Sequence, residues 1–497
     1  MSKTATDIIL LALFLALSKT TFAQTGLTLG EVVGLAKEHS LEYRENKNRF
    51  LSDYFAYRQF KLSLLPKVNF NATPFTINRS LTERYDFENN IETFRESRTL
   101  SSNSGINISQ KIPITGGNLS VGSNFSRIEN FGESHLTFYS TTPFRISLSQ
   151  PLFAHNPYRW EKRELPLKLK LAKLRLLQSE QDLNLQATQL YFNLLKAFQL
   201  FELALQEVSN SDTLLNAGKT LLFIKTITPS EMVELELKST NARVTLAQKE
   251  QGLTDARYEL NQLLRGELPG EKQPVLMETL PVPELDAGET LKLAREFNPF
   301  YIEIEQEKIN LQKSIDQAEK QNRFSASLNF SYGLNQGGKT IREALGKPLN
   351  QQTGSLSLSF PLLNWRENKD NLLLARIDLE MAELKIETKI TDFEQDLLRK
   401  VAEYNLTMEM IKNTGRAKEL ATETYHTKIQ QYKIGQVTLQ ELNQAQLELL
   451  RARENHIESI TQFWLNYYEL QKITLHNLIT DQPLDADFVR LMNMFNR

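Results

Sequence analysis

Cysteine is absent from all 497 residues. That excludes disulfides, a thiol nucleophile, zinc–thiolate sites and a lipidated cysteine anchor. Histidine is scarce. His39, His135, His155, His426, His456 and His476 are scattered, with no H-x-x-x-H pair, and no glycine-rich phosphate loop follows a strand. They read as surface or helix-seam residues, so no metal site, no cofactor and no enzyme is expected. An excess of positive charge is also missing. Lysine and arginine number 58 against 60 aspartates and glutamates, which leaves no basic face for nucleic acid. Beyond the N-terminus there is no long apolar run, and a spanning helix needs roughly twenty apolar residues.

What is present begins with the N-terminus. Lys3 is followed by an unbroken apolar run from Ile8 to Leu17, then small residues up to Ala23. That pattern reads as an export signal over 1–23, too short for an anchor. Loss of Lys3, Lys19 and Asp7 with it takes the net charge from −2 to −3. The mature chain is then either soluble outside the cytoplasm or in a membrane as β-strands.

The rest is a duplication. LAKEHSLEY (35–43) matches LAREFNPFY (293–301) at a shift of 258, which also carries KVNFN (67–71) onto SASLN (325–329). SQPLF (149–153) matches SFPLL (359–363) at a shift of 210. The halves therefore differ by a 48-residue insertion between about 78 and 144. This divides the chain into a first repeat (24–266), a Pro-rich linker (267–285), a second repeat (286–480) and a tail (481–497).

Each half has the same order of elements. A helical segment (about 28–64 and 286–322) leads into a strand. Ala326, Leu328, Phe330, Tyr332 and Leu334 alternate with Ser325, Ser327, Asn329, Ser331 and Gly333, and Val68 and Phe70 with Asn69 and Asn71. A second strand follows at Ile146 and Leu148, or Leu356, Leu358 and Phe360. Strict alternation gives one apolar and one polar face, as in outer-membrane strands or a half-buried soluble sheet. Long helices follow, over 159–227 and 369–437, each about 100 Å by the helical rise. Heptad seams recur at Ile390, Leu397, Tyr404 and Ile411, and at Leu246, Leu253 and Leu260. The last helix carries two, Leu442–Leu449–Phe463–Leu470 (broken by His456) and Leu450–Ile457–Trp464. Two seams imply a neighbour on each side, as in a helical wall.

Each long helix should stop and reverse where LFIKTITPSEM (222–232) and YKIGQVTLQEL (432–442) align. Thr228 with Glu231, and Thr438 with Glu441, are capping-box pairs. Pro229 suits the first helical position, and Gly435 suits a positive φ.

With these residues assembled, the chain resembles the TolC family of outer-membrane efflux and secretion channels. YKIGQVTLQELNQAQLELLRARE (432–454), its weaker twin from Leu222, SQPLF and LTLGEVVGLAKEHSLEYR (27–44) carry the resemblance, which covers 27–480. It implies a mainly α fold with β: a homotrimer in which each chain gives four strands to a twelve-stranded transmembrane barrel, continued by a periplasmic α-helical barrel. It implies a passive conduit in outer-membrane lipid, docked by a periplasmic adaptor (membrane fusion) protein and driven by an inner-membrane RND or ABC transporter. Independently of the resemblance, four strands cannot close a barrel alone, and an open edge in lipid demands an oligomer.

Residue by residue, the resemblance places adaptor contacts at Ile224-Lys225-Thr226 and Ile434-Gly435-Gln436. Lys225 stands where glycine is expected. The gating tyrosine falls on Tyr432 and the acidic gate residue on Glu231. Its arginine partner falls on Val437, so that salt bridge is lost. The constriction residues fall on Glu441 and Gln444, leaving at most one acidic ring, and Glu441 has an alternative role as a capping residue. The insertion, with a hairpin pattern around Gly116-Gly117 in 105–126, either extends the outer rim or shifts the first strand. The competing reading is a secreted coiled-coil structural or adhesive protein, which would lack paired strands at matching repeat positions.

Overall fold

The computed structural model describes residues 26–493 apart from 87–89, 132–134, 226, 271, 277–282, 361, 435, 486 and 487. The expected signal segment lies outside these residues, as do Thr226 and Gly435. Two short helices open the chain, α1 (Leu29–His39) and α2 (Leu41–Ser63). Strands β1 (Lys67–Asp86), β2 (Ile91–Ile112), β3 (Gly117–Phe131) and β4 (His135–Leu152) follow, then helices α3 (Pro157–Phe223) and α4 (Pro229–Leu263). The second half runs α5 (Ala287–Phe297), α6 (Pro299–Gln321), β5 (Ser325–Gly338), α7 (Ile341–Gly346), β6 (Leu349–Ser359), α8 (Glu367–Lys433) and α9 (Leu439–Thr474). The repeat is exact at the helix ends: a shift of 210 carries both ends of α3 onto those of α8.

Two expectations change. The opening segment of each half is not one helix but two. Ser40 and Asn298 take extended backbone and break it. Pro299 disfavours helical geometry at Asn298, and Ser40 Oγ accepts from Tyr43 N–H as a new cap.

The larger correction concerns strand number. The sheet has six strands in the order β1-β2-β3-β4-β5-β6, not four. The insertion is not a loop. It adds β2 and β3 to the sheet between β1 and β4, every neighbour antiparallel. The reason is local. The turn between β2 and β3 is held by Asn156, whose Nδ2 donates to the carbonyls of Pro113 (2.9 Å) and Ile114 (3.2 Å). Gln110 Nε2 donates to Leu64 O at the end of α2. The hairpin therefore returns all the way to the helix ends.

The helices and sheet group into two compact units that do not follow the repeat. One takes 1–48, 174–298 and 393–486; the other takes 49–173, 299–392 and 487–497. The first is organised on a core of Leu183, Tyr191, Leu194, Leu260, Leu397, Tyr404, Phe463 and Trp464, with α1 laid on it through Leu29, Val32 and Ala36. Of the predicted seam residues, Leu260, Leu397, Tyr404, Leu442, Leu449, Ile457, Phe463, Trp464 and Leu470 are buried, and Leu246, Leu253, Ile390, Ile411 and Leu450 are half-buried, so the heptad spacing marked the packed faces. The second unit contains the whole sheet. Among the described residues no helix is long and apolar enough to cross a membrane.

Candidate functional site at the paired helix turns

The site predicted from sequence is the pair of turns α3–α4 and α8–α9, both within the first unit. Each restarts its chain with the same cap. Glu231 N–H donates to Thr228 Oγ1 (3.2 Å), while Thr228 N–H and hydroxyl both donate to Glu231 Oε2 (2.7 and 3.0 Å). The second turn repeats this, Glu441 N–H to Thr438 Oγ1 (3.3 Å) and Thr438 N–H and hydroxyl to Glu441 Oε2 (2.8 and 3.1 Å). The backbone N–H of the capping threonine, first of all, holds each carboxyl below the usual carboxylate value.

The two turns are not identical. Lys225 sits at φ +59°, the left-handed region, where an L-side chain costs about 1–2 kcal/mol and glycine costs nothing. Gly218 of the first repeat corresponds to Lys428 of the second. A Cβ on Gly218 would lie 2.4 Å from Leu235 Cδ1, so glycine lets α3 and α4 close tightly. Lys428 instead reaches Glu441 across the second hairpin at 3.7 Å.

Tyr432 is half-buried, packed against the cluster of Leu214, Leu235, Tyr425, Leu442, Ala445 and Leu449 that joins all four helices. Burial, then the charges of Glu231 and Glu234, raise its phenol pKa. The structure thus brings the expected tyrosine near the expected acidic residue. Val437 supplies no cation, and the Glu231 carboxylate is occupied by its own cap. Gln444 is exposed and donates to Glu448 Oε1 (3.0 Å). Ile224 and Ile434 are exposed, as is Gln436.

Sequence reasoning missed two features. Phe223, beside Ile224, is 88% exposed, a large apolar side chain presented at a turn. The other is a polar crosslink between the hairpins. Lys238 Nζ on α4 donates to Asn443 Oδ1 (2.7 Å) and Gln446 Oε1 (3.3 Å) on α9, and lies 3.5 Å from Glu207 Oε1 on α3. Tyr425 of α8 donates to Glu207 Oε2 and accepts from Asn210. Four helices are joined by one network. No local signal could reveal it, because Asn443 lies 205 residues beyond Lys238. Among the described residues no cluster of side chains could hold a metal ion.

Residues 303–474, most of the second repeat, match the family model for outer membrane efflux proteins. Over that stretch the chain is similar to this family. Solved structures agree on the fold, which is that of TolC-like channels. CusC is 14% identical with a TM-score of 0.62, over 90% of this chain and 91% of that one. CmeC of Campylobacter jejuni, an outer membrane channel, is 13% identical with a TM-score of 0.64, over 94% and 88%. The open state of the MtrE outer membrane channel of Neisseria gonorrhoeae is 16% identical with a TM-score of 0.59, over 91% and 90%. Among proteins of curated function, none matches the chain by sequence.

Proposed function

We propose that this chain is an outer membrane efflux protein, the exit-channel subunit of a tripartite efflux or type I secretion system, working as a homotrimer in the outer membrane of a Gram-negative bacterium. The sheet crosses the lipid, and the helices enclose a periplasmic conduit. A periplasmic adaptor protein docks at the two turns, and an inner-membrane RND or ABC transporter supplies the energy. The observation that carries this reading is the sheet. It is open at both edges, β1 and β6, and a run of large apolar side chains on it faces solvent in the single chain, among them Val68, Phe70, Leu356 and Leu358. Such a face needs lipid, and such edges need partner strands. The coiled-coil reading has no use for either.

The turns suit docking because they present Phe223, Ile224, Lys225 and Ile434 outward. The gate is held by packing around Tyr432 and by the Lys238 network rather than by an arginine–carboxylate pair. Glu441 and Gln444 belong to the constriction. The first test is single-particle imaging of detergent-extracted protein with its mass. A threefold, elongated particle with a barrel at one end is expected. A monomer soluble without detergent would overturn the reading.

A further inference from the structure

The rows of residues across the sheet reveal what the inserted hairpin does. One row reads Val68, Ile108, Val121, Ile146, Tyr332 and Gln352 from β1 to β6, each residue directly opposite the next. Directly opposed residues share a face. This row is apolar from β1 to β5, and its neighbour is apolar through Leu119, Leu148 and Phe330 on β3, β4 and β5, with Gln110 on β2. The adjacent rows on the other face read Asn69, Asn107, Gly122, Arg145, Gly333, Gln351 and Lys67, Ser109, Ser120, Ser147, Ser331, Thr353. Those are small, polar or cationic throughout. The row of Val68, Ile108, Val121 and Ile146 and the two polar rows thus run through β2 and β3 in step with the flanking strands. A decoration on the outer rim would start above these rows. Instead the β2–β3 turn reaches the level of Asn156, just before α3, so the hairpin crosses the full height of the wall. β6, the shortest of the six strands, has 11 residues, within the roughly 9–11 that cross a bilayer as a tilted strand.

We infer that the hairpin is part of the lipid-spanning wall, so that three chains close an eighteen-stranded barrel by pairing β6 of each copy with β1 of the next. The partner is a second copy of this chain, and the inference rests on the trimeric channel reading. Six is an even number, so β1 and β6 run antiparallel to each other and closure keeps every pair antiparallel, as single-chain outer-membrane barrels do. Barrel diameter grows roughly linearly with strand number, and about 16–18 strands leave an open aqueous channel where small barrels are filled by side chains. The outer mouth is then about half as wide again as a twelve-stranded one, lined by serine, asparagine and glycine with Lys67 and Arg145.

The test uses the absence of native cysteine. Single substitutions Ile108→Cys and Val121→Cys, against Asn107→Cys and Ser120→Cys, are treated with a charged, membrane-impermeant maleimide in intact proteoliposomes. Val68→Cys and Tyr332→Cys on β1 and β5 serve as lipid-face controls. The expected result is labelling of Asn107→Cys and Ser120→Cys and loss of labelling at Ile108→Cys, Val121→Cys and both controls, with eighteen strands counted in end-on images. Protected controls with Ile108→Cys and Val121→Cys labelled would put the hairpin outside the wall and return the barrel to four strands per chain. If the controls label too, no barrel stands in lipid, and the channel reading falls together with the inference.

Discussion

Lys238 Nζ on α4 lies 2.7 Å from Asn443 Oδ1 on α9, and 3.5 Å from Glu207 Oε1 on α3. The three residues tie the first helical hairpin to the second beside the turns. Lys238 and Glu207 side chains are only 14% and 17% exposed, so water screens this pair less than a surface ion pair. Lys238→Met keeps the stem and removes the ammonium, leaving Glu207 with Tyr425 as its remaining donor. The expected loss is about 1–3 kcal/mol of local stability. If the network holds the turns together, single-channel conductance in planar bilayers rises as they part. Unchanged conductance would show that Lys238 braces the hairpins without controlling the opening.

Lys225 separates turn geometry from docking chemistry. Its φ of +59° favours glycine, so Lys225→Gly relieves strain and raises the local stability of the turn by about 1 kcal/mol. Hydrogen exchange at the Lys225 amide, which donates to Leu222 O (3.0 Å), reads this directly. Lys225→Glu leaves the strain in place and reverses the charge. Should Lys225 contact the adaptor, Lys225→Glu impairs efflux while Lys225→Gly affects it less. Efflux untouched by Lys225→Glu removes Lys225 from the docking surface.

These two residues also mark how far the sequence could be read. Whatever depends on near neighbours was legible. A threonine three positions before a glutamate specifies a cap wherever the chain places it, and both caps form at Thr228 and Thr438. Heptad spacing located the buried seams on α8 and α9 for the same reason. The break at Ser40 escaped notice because an extended serine inside a helical pattern has no periodic signature. The six strands escaped because register is set by distant contacts. The alternation in 105–126 announced a hairpin, yet distant bonds from Asn156 to Pro113 and Ile114, and from Gln150 to Thr115, hold its turn in place. Lys238 was invisible for a similar reason, since its partners come from two other helices. The tyrosine at 432 was named by family resemblance, and its packing against Leu214 and Leu442 is a tertiary fact.

The two caps give a pH-dependent prediction. Glu231 and Glu441 are held below the ordinary 4.5. A carboxyl with a depressed folded pKa adds stability above its unfolded pKa, and that stability is lost as pH falls through the folded value. The first turns of α4 and α9 should therefore lose amide protection on acidification below about pH 4.5, beginning at Glu231 and Glu441. Thr228→Ala and Thr438→Ala should each cost about 1 kcal/mol at neutral pH and flatten the acid response of their own turn. An acid response that persists in Thr228→Ala would trace it to other carboxyls.

His456 interrupts the seam of Leu442, Leu449, Phe463 and Leu470 on α9, and it is buried. Its Nδ1 lies 3.3 Å from Thr414 Oγ1, beside Gly415 and Lys418 of α8. Burial, aided by the Lys418 charge, lowers its pKa below the ordinary 6.5. The unfolded chain then binds the proton more readily than the folded one. Stability rises with pH from the folded pKa up to 6.5 and is lost as pH falls through that window. His456→Leu completes the seam and removes the titration. Thr414 is not stranded by the change, because its hydroxyl also donates to Met410 O (2.8 Å). The variant should unfold at a higher temperature than the parent at about pH 5.5, with the gap narrowing near pH 8. A gap that is the same at both values would mean that packing alone, without proton linkage, distinguishes the two side chains.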